Sequence, residues 1–314
     1  MAVLPKEHIQ QLAAALQQEF QGKILLDEPM SAHTTFGIGG PADIFAMPVS
    51  VEDLTALLSF SRANHLPVTP LGDGSNVLVS DLGIRGVVVK LSGDFNRWTP
   101  LGDEIMAGAG MGLSSLIAET ASAGLAGLEV VYGVPGSVGG GIYMNCGTRY
   151  GWLSDLALAV QVTSLNGEDR WIEAPDMGFA YRTSALMQSP EPVIVTEARF
   201  KLKQEAPGNI KDRIREMSLA RKASQPLNWR SCGCMFKNPE GDSAGRLIDA
   251  AGLKGLSMGA ATVSDKHANF FVVSSGATAT DIRGLAETVR ARVMEKFEVE
   301  LQMEVCLMGE WPEK

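Results

Sequence analysis

The sequence predicts an α+β fold, in which short strands and helices are mixed along the chain. Short apolar runs bounded by Gly and Asp are typical of strands, and apolar residues spaced three to four apart are typical of helices. At the C-terminal end, apolar and polar residues alternate from Val299 to Met308, which indicates one more strand. A chain of 314 residues is long enough for two or three domains, each with its own core.

The elements can be placed in chain order from these patterns. The first part predicts a strand at 43–48, a helix at 51–65, strands at 68–71, 77–79, 87–91 and 104–107, a helix at 114–123 that Gly124 ends, and strands at 158–165 and 193–202. The character changes near Ala206, where we place a domain boundary. Beyond it, Asn209 is expected to cap a charged helix to 223, followed by a helix at 243–251, a strand at 269–274, a helix at 281–297 and the strand at 299–308.

Composition limits the classes of function. The formal net charge of −9 argues against broad nucleic-acid binding, which needs a basic surface. No apolar stretch is long enough to span a bilayer, and no signal-peptide pattern opens the chain, so neither a membrane nor a secretory route is expected. A chain of this size does not need disulfides among its four cysteines for stability, which favours a reducing cytoplasm.

Glycine is concentrated in the segment 133–147. Glycine loses more backbone entropy on folding than any other residue, so such density indicates that something approaches the main chain closely. A flexible linker fits poorly, because Val138, Ile142 and Tyr143 are apolar or bulky. A phosphate group is the usual ligand of such a segment, since backbone N–H groups at a helix start bind anions. The glycines are Gly133, Gly136, Gly139, Gly140, Gly141 and Gly147.

Two common nucleotide fingerprints are absent. A P-loop needs Gly-Lys-Ser/Thr, but Gly141 is followed by Ile142. The dinucleotide pattern GxGxxG fails after Gly72 and after Gly108, where Val77 and Leu113 stand at the last position. Two interpretations remain open. Either four glycine clusters, at 37–40, 72–76, 108–110 and 133–147, converge on one extended ligand with a pyrophosphate such as FAD, or they are four independent tight turns.

Seven motifs in order then make the chain similar to a known family. They are Thr34-Thr-Phe-Gly-Ile-Gly-Gly-Pro-Ala42, Leu71-Gly-Asp-Gly-Ser-Asn-Val-Leu-Val-Ser-Asp81, Gly127-Leu-Glu, Gly133-Val-Pro-Gly-Ser-Val-Gly-Gly140, Met144-Asn145, Ala180-Tyr-Arg-Thr-Ser184 and Gly233-Cys-Met-Phe-Lys-Asn-Pro239. In spacing and extent, from about 31 to 309, they resemble the UDP-N-acetylenolpyruvoylglucosamine reductase (UDP-N-acetylmuramate dehydrogenase) family. The compact interval 182–204 resembles the shorter class, which lacks an extra substrate loop.

The resemblance implies a fold, a reaction and a division of the chain. We expect a helical segment at 1–30, an FAD-binding domain of the p-cresol methylhydroxylase type, made of two α+β subdomains, at 31–205, and an α+β substrate-binding domain at 206–314. The implied reaction is the NADPH-dependent reduction of an enolpyruvyl ether to a lactyl ether in peptidoglycan precursor synthesis, through FAD. A cytoplasmic monomer is expected, acting on a small UDP-sugar.

The resemblance also implies residue roles. Arg182 falls on the catalytic arginine, Cys234 on the proton donor, which is usually a serine, and Glu304 on a glutamate of the C-terminal strand. The implied FAD contacts are Ile38, Gly39, Gly40, Gly72, Gly74, Ser75, Asn76, Gly108, Gly110, Gly133, Pro135, Gly136, Ser137, Gly139, Gly140 and Asn145. The implied substrate contacts are Tyr181, Arg221, Lys237 and Asn238. Two departures, Asp73 for a frequent glycine and Cys306 for a frequent arginine, put the local structure there in doubt.

Cysteine at position 234 is chemically suited to the role of an acid. A thiol with a pKa of about 8.5 gives up a proton more readily than an alcohol. The alternatives are a buried small side chain or half of a metal site with Cys232, and the second cysteine pair expected of a zinc site is missing, so no metal is expected. Without the resemblance, Glu304 is a solvated carboxylate and His267 has no role. Another flavin oxidoreductase, or a regulator that has lost catalysis, also stays open.

Overall fold

The computed structural model describes residues 5–312, so the outermost residues of the first and last predicted domains lie outside the described range. The helices in this range are α1 (Lys6–Leu16), α2 (Val51–Ala63), α3 (Leu113–Ser122), α4 (Val138–Tyr143), α5 (Ala185–Gln188), α6 (Pro207–Ser224), α7 (Ala244–Ala250) and α8 (Ala279–Phe297). No helix within these residues is long and apolar enough to cross a membrane.

The strands are short and distributed along the whole described range. They are β1 (Lys23–Pro29), β2 (Pro41–Met47), β3 (Val68–Pro70), β4 (Val77–Val79), β5 (Ile84–Val89), β6 (Trp98–Leu101), β7 (Glu104–Gly108), β8 (Leu125–Ala126), β9 (Gly147–Thr148), β10 (Gly151–Trp152), β11 (Ala157–Ser164), β12 (Asp169–Glu173), β13 (Val193–Lys201), β14 (Lys203–Gln204), β15 (Ser257–Met258), β16 (Ala261–Val263), β17 (Phe271–Val273) and β18 (Cys306–Met308).

The chain forms two compact units, each assembled from separate segments. The first contains the residues up to 28, 43–73 and 85–219, and the second contains 29–42, 74–84 and the residues from 220 onward. The Gly72–Asn76 cluster therefore contributes to both units. The predicted domain bounds follow the order of the sequence and stay a prediction.

In the first unit, two sheets and their helices share one apolar core. The antiparallel sheet has the order β12-β11-β13-β7-β6, and the other sheet has the order β1-β2-β5-β3, with β3 and β5 parallel. Residues Val160 and Val162 of β11 and Ala198 and Phe200 of β13 are fully buried. Removing such side chains from water is the main stabilising contribution to this unit.

In the second unit, α7 and α8 pack with the small antiparallel sheet β15-β16-β17. Thr278 and Asp281 form a capping box at the start of α8. The carboxylate of Asp81, from the segment before β5, accepts hydrogen bonds from the Ala279 and Thr280 backbone N–H groups at 2.8 and 2.9 Å. Asp81 therefore has a structural role within its motif, because it satisfies donors that the helix leaves unpaired.

Most expected elements are present, although the bounds of several differ by one to three residues. The helix expected after an Asn209 cap starts at Pro207 instead, since proline is well tolerated in the first turn. The helix expected at 51–65 ends at Ala63, and His65 adopts a left-handed φ of 53°. The expected strand 87–91 begins earlier, at Ile84.

The expected final strand at 299–308 is the clearest error. Only Cys306–Met308 is a strand, pairing in parallel with β4, and Leu307 is exposed although the alternation placed it with the buried face. Before it, the backbone makes only an isolated bridge between Phe236 and Met303, with Leu301 and Val305 buried. Leu301 and Val305, on the apolar face of the alternating segment, are therefore buried, although no continuous ladder of strand hydrogen bonds forms there.

Candidate active site

Gly72 and two of the glycine clusters meet in the first unit around Ser137. The Val138 N–H donates to the Met111 carbonyl at 2.8 Å, and Gly112 forms an antiparallel bridge with Ser137. A Cβ placed on Gly72 would lie 2.6 Å from the Ser137 Oγ. Gly72 and the clusters at 108–110 and 133–147 are thus parts of one surface within this unit, which favours the shared-ligand interpretation over independent turns.

The start of α4 differs from the phosphate cradle expected from the sequence. The N–H groups of residues 138–141 donate to the carbonyls of Met111, Ala109 and Ser137 and to the Ser137 Oγ, at 2.8–3.3 Å. These are the donors that a helix start would offer to an anion. Because the chain itself uses them, this helix start is not an anion site.

In the second unit, the loop 34–40 and the segment 74–81 are held together by backbone hydrogen bonds. The Thr35 N–H donates to the Gly74 carbonyl at 3.0 Å, and the Gly40 N–H donates to the Ser80 carbonyl at 2.9 Å. A Cβ on Gly74 would lie 2.0 Å from the His33 carbonyl oxygen, and Gly74 has a φ of 63°. Glycine is needed there by both space and conformation.

Close packing also accounts for other glycines of the predicted FAD set. A Cβ on Gly40 would lie 2.2 Å from the Asp81 carbonyl oxygen, and one on Gly108 would lie 2.3 Å from the Phe95 carbonyl oxygen. A Cβ on Gly110 would lie 2.5 Å from the Asn96 Oδ1. For these positions the absence of a side chain reflects the packing of the chain, whether or not a ligand lies nearby.

Gly112 and Gly140 present open backbone instead. Gly140 is exposed, and the nearest atom to its Cβ position is the Ser137 Oγ at 3.5 Å. Around the Gly112 Cβ position the nearest atoms are 3.9 Å away. This glycine-lined surface around Ser137 fits an extended ligand such as FAD lying along the main chain. Asp73, at the edge of this surface, does not have a left-handed backbone, and its carboxylate pairs with the Lys90 Nζ at 3.3 Å. An aspartate in place of the frequent glycine therefore does not strain the loop.

Arg182 lies at the tip of a tight turn in the first unit. Ala180 and Thr183 exchange two backbone hydrogen bonds of 3.2 Å across the turn. Arg182 has a φ of 53°, a left-handed conformation that is uncommon for a residue with a side chain. Strain of this kind persists where the surroundings enforce it, and it is concentrated at functional sites.

Two buried side chains support this turn. The Asn145 Nδ2 donates to the Ala180 carbonyl at 3.0 Å, and the Asn145 Oδ1 accepts from the Ser154 N–H at 3.2 Å. The fully buried Ser184 donates to the Tyr143 carbonyl at 2.7 Å. The Asn145 side chain thus braces the turn that carries Arg182, and the FAD contact expected of Asn145 from the resemblance stays a prediction.

The Arg182 guanidinium lies beside Trp152 and near Cys146. Its Cζ is 5.5 Å from the centroid of the Trp152 ring, within the range of a cation–π interaction. Burial raises the pKa of Cys146 to about 12, and the positive charge of Arg182 acts in the opposite direction. Cys146 is therefore a neutral thiol at physiological pH.

Cys234 and Glu304 lie on neighbouring segments of the second unit. The Glu304 N–H donates to the carbonyl of Met235, the residue after Cys234, at 2.9 Å. The Asn76 Nδ2 donates to the Glu304 carbonyl at 3.0 Å, and the Asn76 carbonyl accepts from the Cys306 N–H at 3.0 Å. Asn76, expected to contact FAD, thus fixes the backbone at Glu304 and at Cys306.

No role was predicted for Asn269 from the sequence. It is 2% exposed, its Nδ2 donates to the Phe236 carbonyl at 2.8 Å, and its Oδ1 accepts from the Phe236 N–H at 3.0 Å. Its backbone carbonyl also accepts from the Met235 N–H at 2.8 Å. It thereby fixes the backbone just after Cys234. The only sequence signal was its place in the family-like stretch Lys266-His-Ala-Asn269.

The three cysteines of this unit differ in exposure. Cys232 is buried, which raises its pKa well above the ordinary value, and negative charge at Cys234, Glu304 or Cys306 would raise it further. Cys306 also has a raised pKa because of burial, which the Lys237 charge partly offsets. Cys234 is only half-buried, so it is the more accessible member of the Cys232–Cys234 pair. Within residues 5–312, no group of three or more His, Cys, Asp or Glu side chains could hold a metal ion.

The remaining predicted residues are distributed over both units. Tyr181 is 43% exposed and meets Trp152 edge-on, and the Asn238 Oδ1 accepts from the Ala244 N–H at 3.1 Å. Arg221 and Lys237 are half-buried. Of the other predicted FAD residues, Ile38 is buried, Ser75 is half-buried and Pro135 is exposed, and Gly39, Gly133 and Gly136 have positive φ values of 136°, 80° and 135°.

Comparison with known proteins gives a consistent family. Residues 42–172 match a family model described as an FAD binding domain, and residues 225–308 match one described as the UDP-N-acetylenolpyruvoylglucosamine reductase C-terminal domain. The reductase of Desulfosudis oleivorans is 40% identical over 304 residues, covering 93% of this chain and 96% of the relative. That of Clostridium botulinum is 41% identical over 289 residues, covering 91% and 93%.

A solved structure agrees in fold. The crystal structure of the reductase from Thermus caldophilus matches with a TM-score of 0.78 and 39% identity, over 92% of this chain and 99% of that one. The predicted α+β class, with a flavin-binding domain of the p-cresol methylhydroxylase type, is confirmed. The chain belongs to the UDP-N-acetylenolpyruvoylglucosamine reductase family of FAD-dependent oxidoreductases.

Proposed function

We propose that this chain reduces UDP-N-acetylenolpyruvoylglucosamine to UDP-N-acetylmuramate with electrons from NADPH, in peptidoglycan precursor synthesis. Bound FAD supplies the hydride carrier that links the two substrates in a ping-pong cycle. The observation that carries the proposal is the Arg182 turn, where a left-handed, non-glycine residue is braced by Asn145 and Ser184. An arginine so constrained is suited to a fixed catalytic position.

The reaction assigns a task to each proposed catalytic residue. Hydride addition to one alkene carbon leaves negative charge on the other, delocalised into the neighbouring carboxylate. Arg182 is proposed to stabilise that charge. The Cys234 thiol is proposed to give its proton to the carbanion, becoming a thiolate that solvent reprotonates. Glu304, whose backbone is bonded to that of Met235, is proposed as the second acid–base group of this site.

The binding residues named from the sequence are part of the same proposal. For FAD, the open backbone at Gly112 and Gly140, on either side of Ser137, offers the best-supported contact surface. For the substrate, Arg221 and Lys237 supply positive charge suited to a diphosphate, with Tyr181 and Asn238 as polar contacts. The division at 206 into FAD and substrate domains is supported by family matches on either side of it. A cytoplasmic monomer remains our expectation.

Purified protein tests the proposed activity. We expect a yellow protein that releases FAD on denaturation and that, under anaerobic conditions, oxidises more than one NADPH per flavin only when UDP-N-acetylenolpyruvoylglucosamine is present. Mass spectrometry should show a product two mass units heavier than the substrate, as expected for addition of two hydrogens. A protein that binds FAD but leaves the substrate unchanged would support the regulator, and one that oxidises an alcohol instead would support another flavin oxidoreductase.

A further inference from the structure

The Trp152 side chain is held in place independently of the Arg182 turn. The Trp152 backbone pairs with Gly147 in the β9–β10 hairpin, and the Trp152 backbone N–H donates to the Asp155 Oδ2 at 2.8 Å. A Cβ placed on Gly147 would lie only 2.3 Å from the Trp152 Cε3. The indole therefore rests directly on the Gly147 backbone, and a side chain at 147 would displace it. This gives the last glycine of the 133–147 segment a purpose unrelated to a ligand.

The same indole contacts both polar residues at the tip of the turn. The Arg182 Cζ is 5.5 Å from its centroid, and the Tyr181 ring meets it at 5.6 Å and 86°. Edge-to-face rings and a cation near a π face are both favourable arrangements. Trp152 is half-buried, whereas the core of this unit is made of fully buried side chains, so filling the core is not its main contribution.

The need for such a support follows from the Arg182 side chain itself. A long, flexible arginine loses rotamer freedom when it must hold one orientation, and Asn145 and Ser184 fix only the backbone around it. A flat ring beside the guanidinium limits the orientations of that group without neutralising its charge, as a carboxylate partner would.

We propose that Trp152 is a positioning residue that orients the Arg182 guanidinium, and with it Tyr181, for the half-reaction in which the enolpyruvyl substrate reoxidises the reduced flavin. The inference rests on the proposed catalytic role of Arg182. It predicts that Trp152 affects the reoxidation of reduced flavin by the UDP-sugar and leaves the reduction of flavin by NADPH unaffected.

Rapid-mixing measurement of the two half-reactions tests this. In Trp152→Leu we expect flavin reoxidation at saturating substrate to slow about tenfold, in line with a lost cation–π contact at a partly desolvated site. Flavin content and the rate of reduction by NADPH should stay within about twofold of the wild type, because the loss is confined to one step. The control is Trp171→Leu, an exposed tryptophan of β12, for which both rates should be unchanged.

If Trp152→Leu does not fold, the same two half-reactions are measured in Trp152→Phe. Phenylalanine keeps a smaller aromatic face, so we expect about threefold slowing confined to reoxidation. A folded variant in which both half-reactions slow equally, or neither slows, would overturn the proposal, because a purely structural residue has no reason to act on one step.

A double-mutant cycle separates this inference from the proposed function. If Trp152 acts through Arg182, adding Trp152→Leu to Arg182→Ala should slow reoxidation no further. Additive effects would show that Trp152 does not act through Arg182, and the inference would fail alone. If Arg182→Ala itself leaves reoxidation unchanged, the catalytic role proposed for Arg182 fails, and the inference fails with it.

Discussion

Glycines with a left-handed backbone differ in how closely other atoms of the chain surround them. Gly74 needs both a left-handed backbone and the space that a Cβ would occupy against the His33 carbonyl, whereas Gly102, in the β6–β7 turn, has a φ of 73° and nothing within 4 Å of its Cβ position. The two residues share a conformation and differ in crowding. They therefore separate the conformational cost of a side chain from its steric cost.

This difference predicts the stabilities of two alanine variants. Gly102→Ala should lower the free energy of unfolding by about 1 kcal/mol, the usual cost of a left-handed alanine. Gly74→Ala should cost about 3 kcal/mol or more, because the backbone must also move to relieve the clash. Denaturant unfolding of both apoproteins measures this. Equal losses of unfolding free energy would show that the backbone around Gly74 moves to accommodate a Cβ at no additional cost.

The cysteines predict a labelling pattern. Burial raises the pKa of Cys146 to about 12 and that of Cys232 well above its ordinary value, so both stay protonated and shielded at pH 8. Iodoacetamide should therefore modify Cys234 in the folded protein while Cys146 and Cys232 remain unmodified, as read by tandem mass spectrometry of the peptides. Modification of Cys232 as fast as Cys234 would contradict the described burial, and denatured protein serves as the control for full reactivity.

At the scale of elements, one ion-pair network fixes α6 to the first unit. The Arg213 Nη2 donates to the Glu129 Oε1 at 2.6 Å, and its Nη1 donates to the Glu205 Oε1 at 2.7 Å. Glu129 is 5% exposed, and its other oxygen accepts from the Gly127 N–H at 2.6 Å. The hydrogen bonds from both carboxylates raise the pKa of Arg213. The Gly127-Leu-Glu129 motif is thus an anchor for the helix.

Removing the cation should destabilise the protein through Glu129. In Arg213→Met the buried carboxylate loses its partner, and we expect the free energy of unfolding at pH 7 to fall by about 2 kcal/mol, less than for a fully buried pair because Arg213 is partly exposed. The double variant Arg213→Met/Glu129→Gln should recover part of this loss, since the uncompensated charge is gone. Thermal or urea unfolding measures both, and a loss no smaller in the double variant would contradict the network's role.

The elements that could be predicted were those whose signal is local. Helix α7 begins at its Ser243 cap as expected, and Gly124, with a φ of 76°, follows α3 as expected. Strand β1 and helix α4 were not predicted, and the strand at 299–308 was predicted too long. In α4 three of six residues are glycine, which locally disfavours a helix, so tertiary hydrogen bonds decide its conformation. Likewise, an alternating segment becomes a strand only where a neighbouring segment of the chain pairs with its backbone.

At the scale of the whole molecule, the assembly of each unit from separate segments could not be predicted from the order of the sequence. Residues 29–42 and 74–84 join the C-terminal part of the chain in one compact unit, which no local pattern indicates. The resemblance supplied Arg182, Cys234 and Glu304 as catalytic candidates. It could not supply Trp152 or Asn269, because support of a turn or a loop depends on contacts between residues distant in sequence.

The central claim is that Cys234 protonates the substrate that the flavin reduces. The most direct test reduces the enzyme-bound flavin anaerobically with NADPH and mixes it with UDP-N-acetylenolpyruvoylglucosamine while flavin absorbance is followed. We expect Cys234→Ala to slow reoxidation about 10²-fold or more, given typical general-acid contributions, and Cys234→Ser to retain measurable turnover, with reduction by NADPH unchanged in both. Equal loss of both half-reactions in Cys234→Ala, or reoxidation at the wild-type rate, would contradict the account.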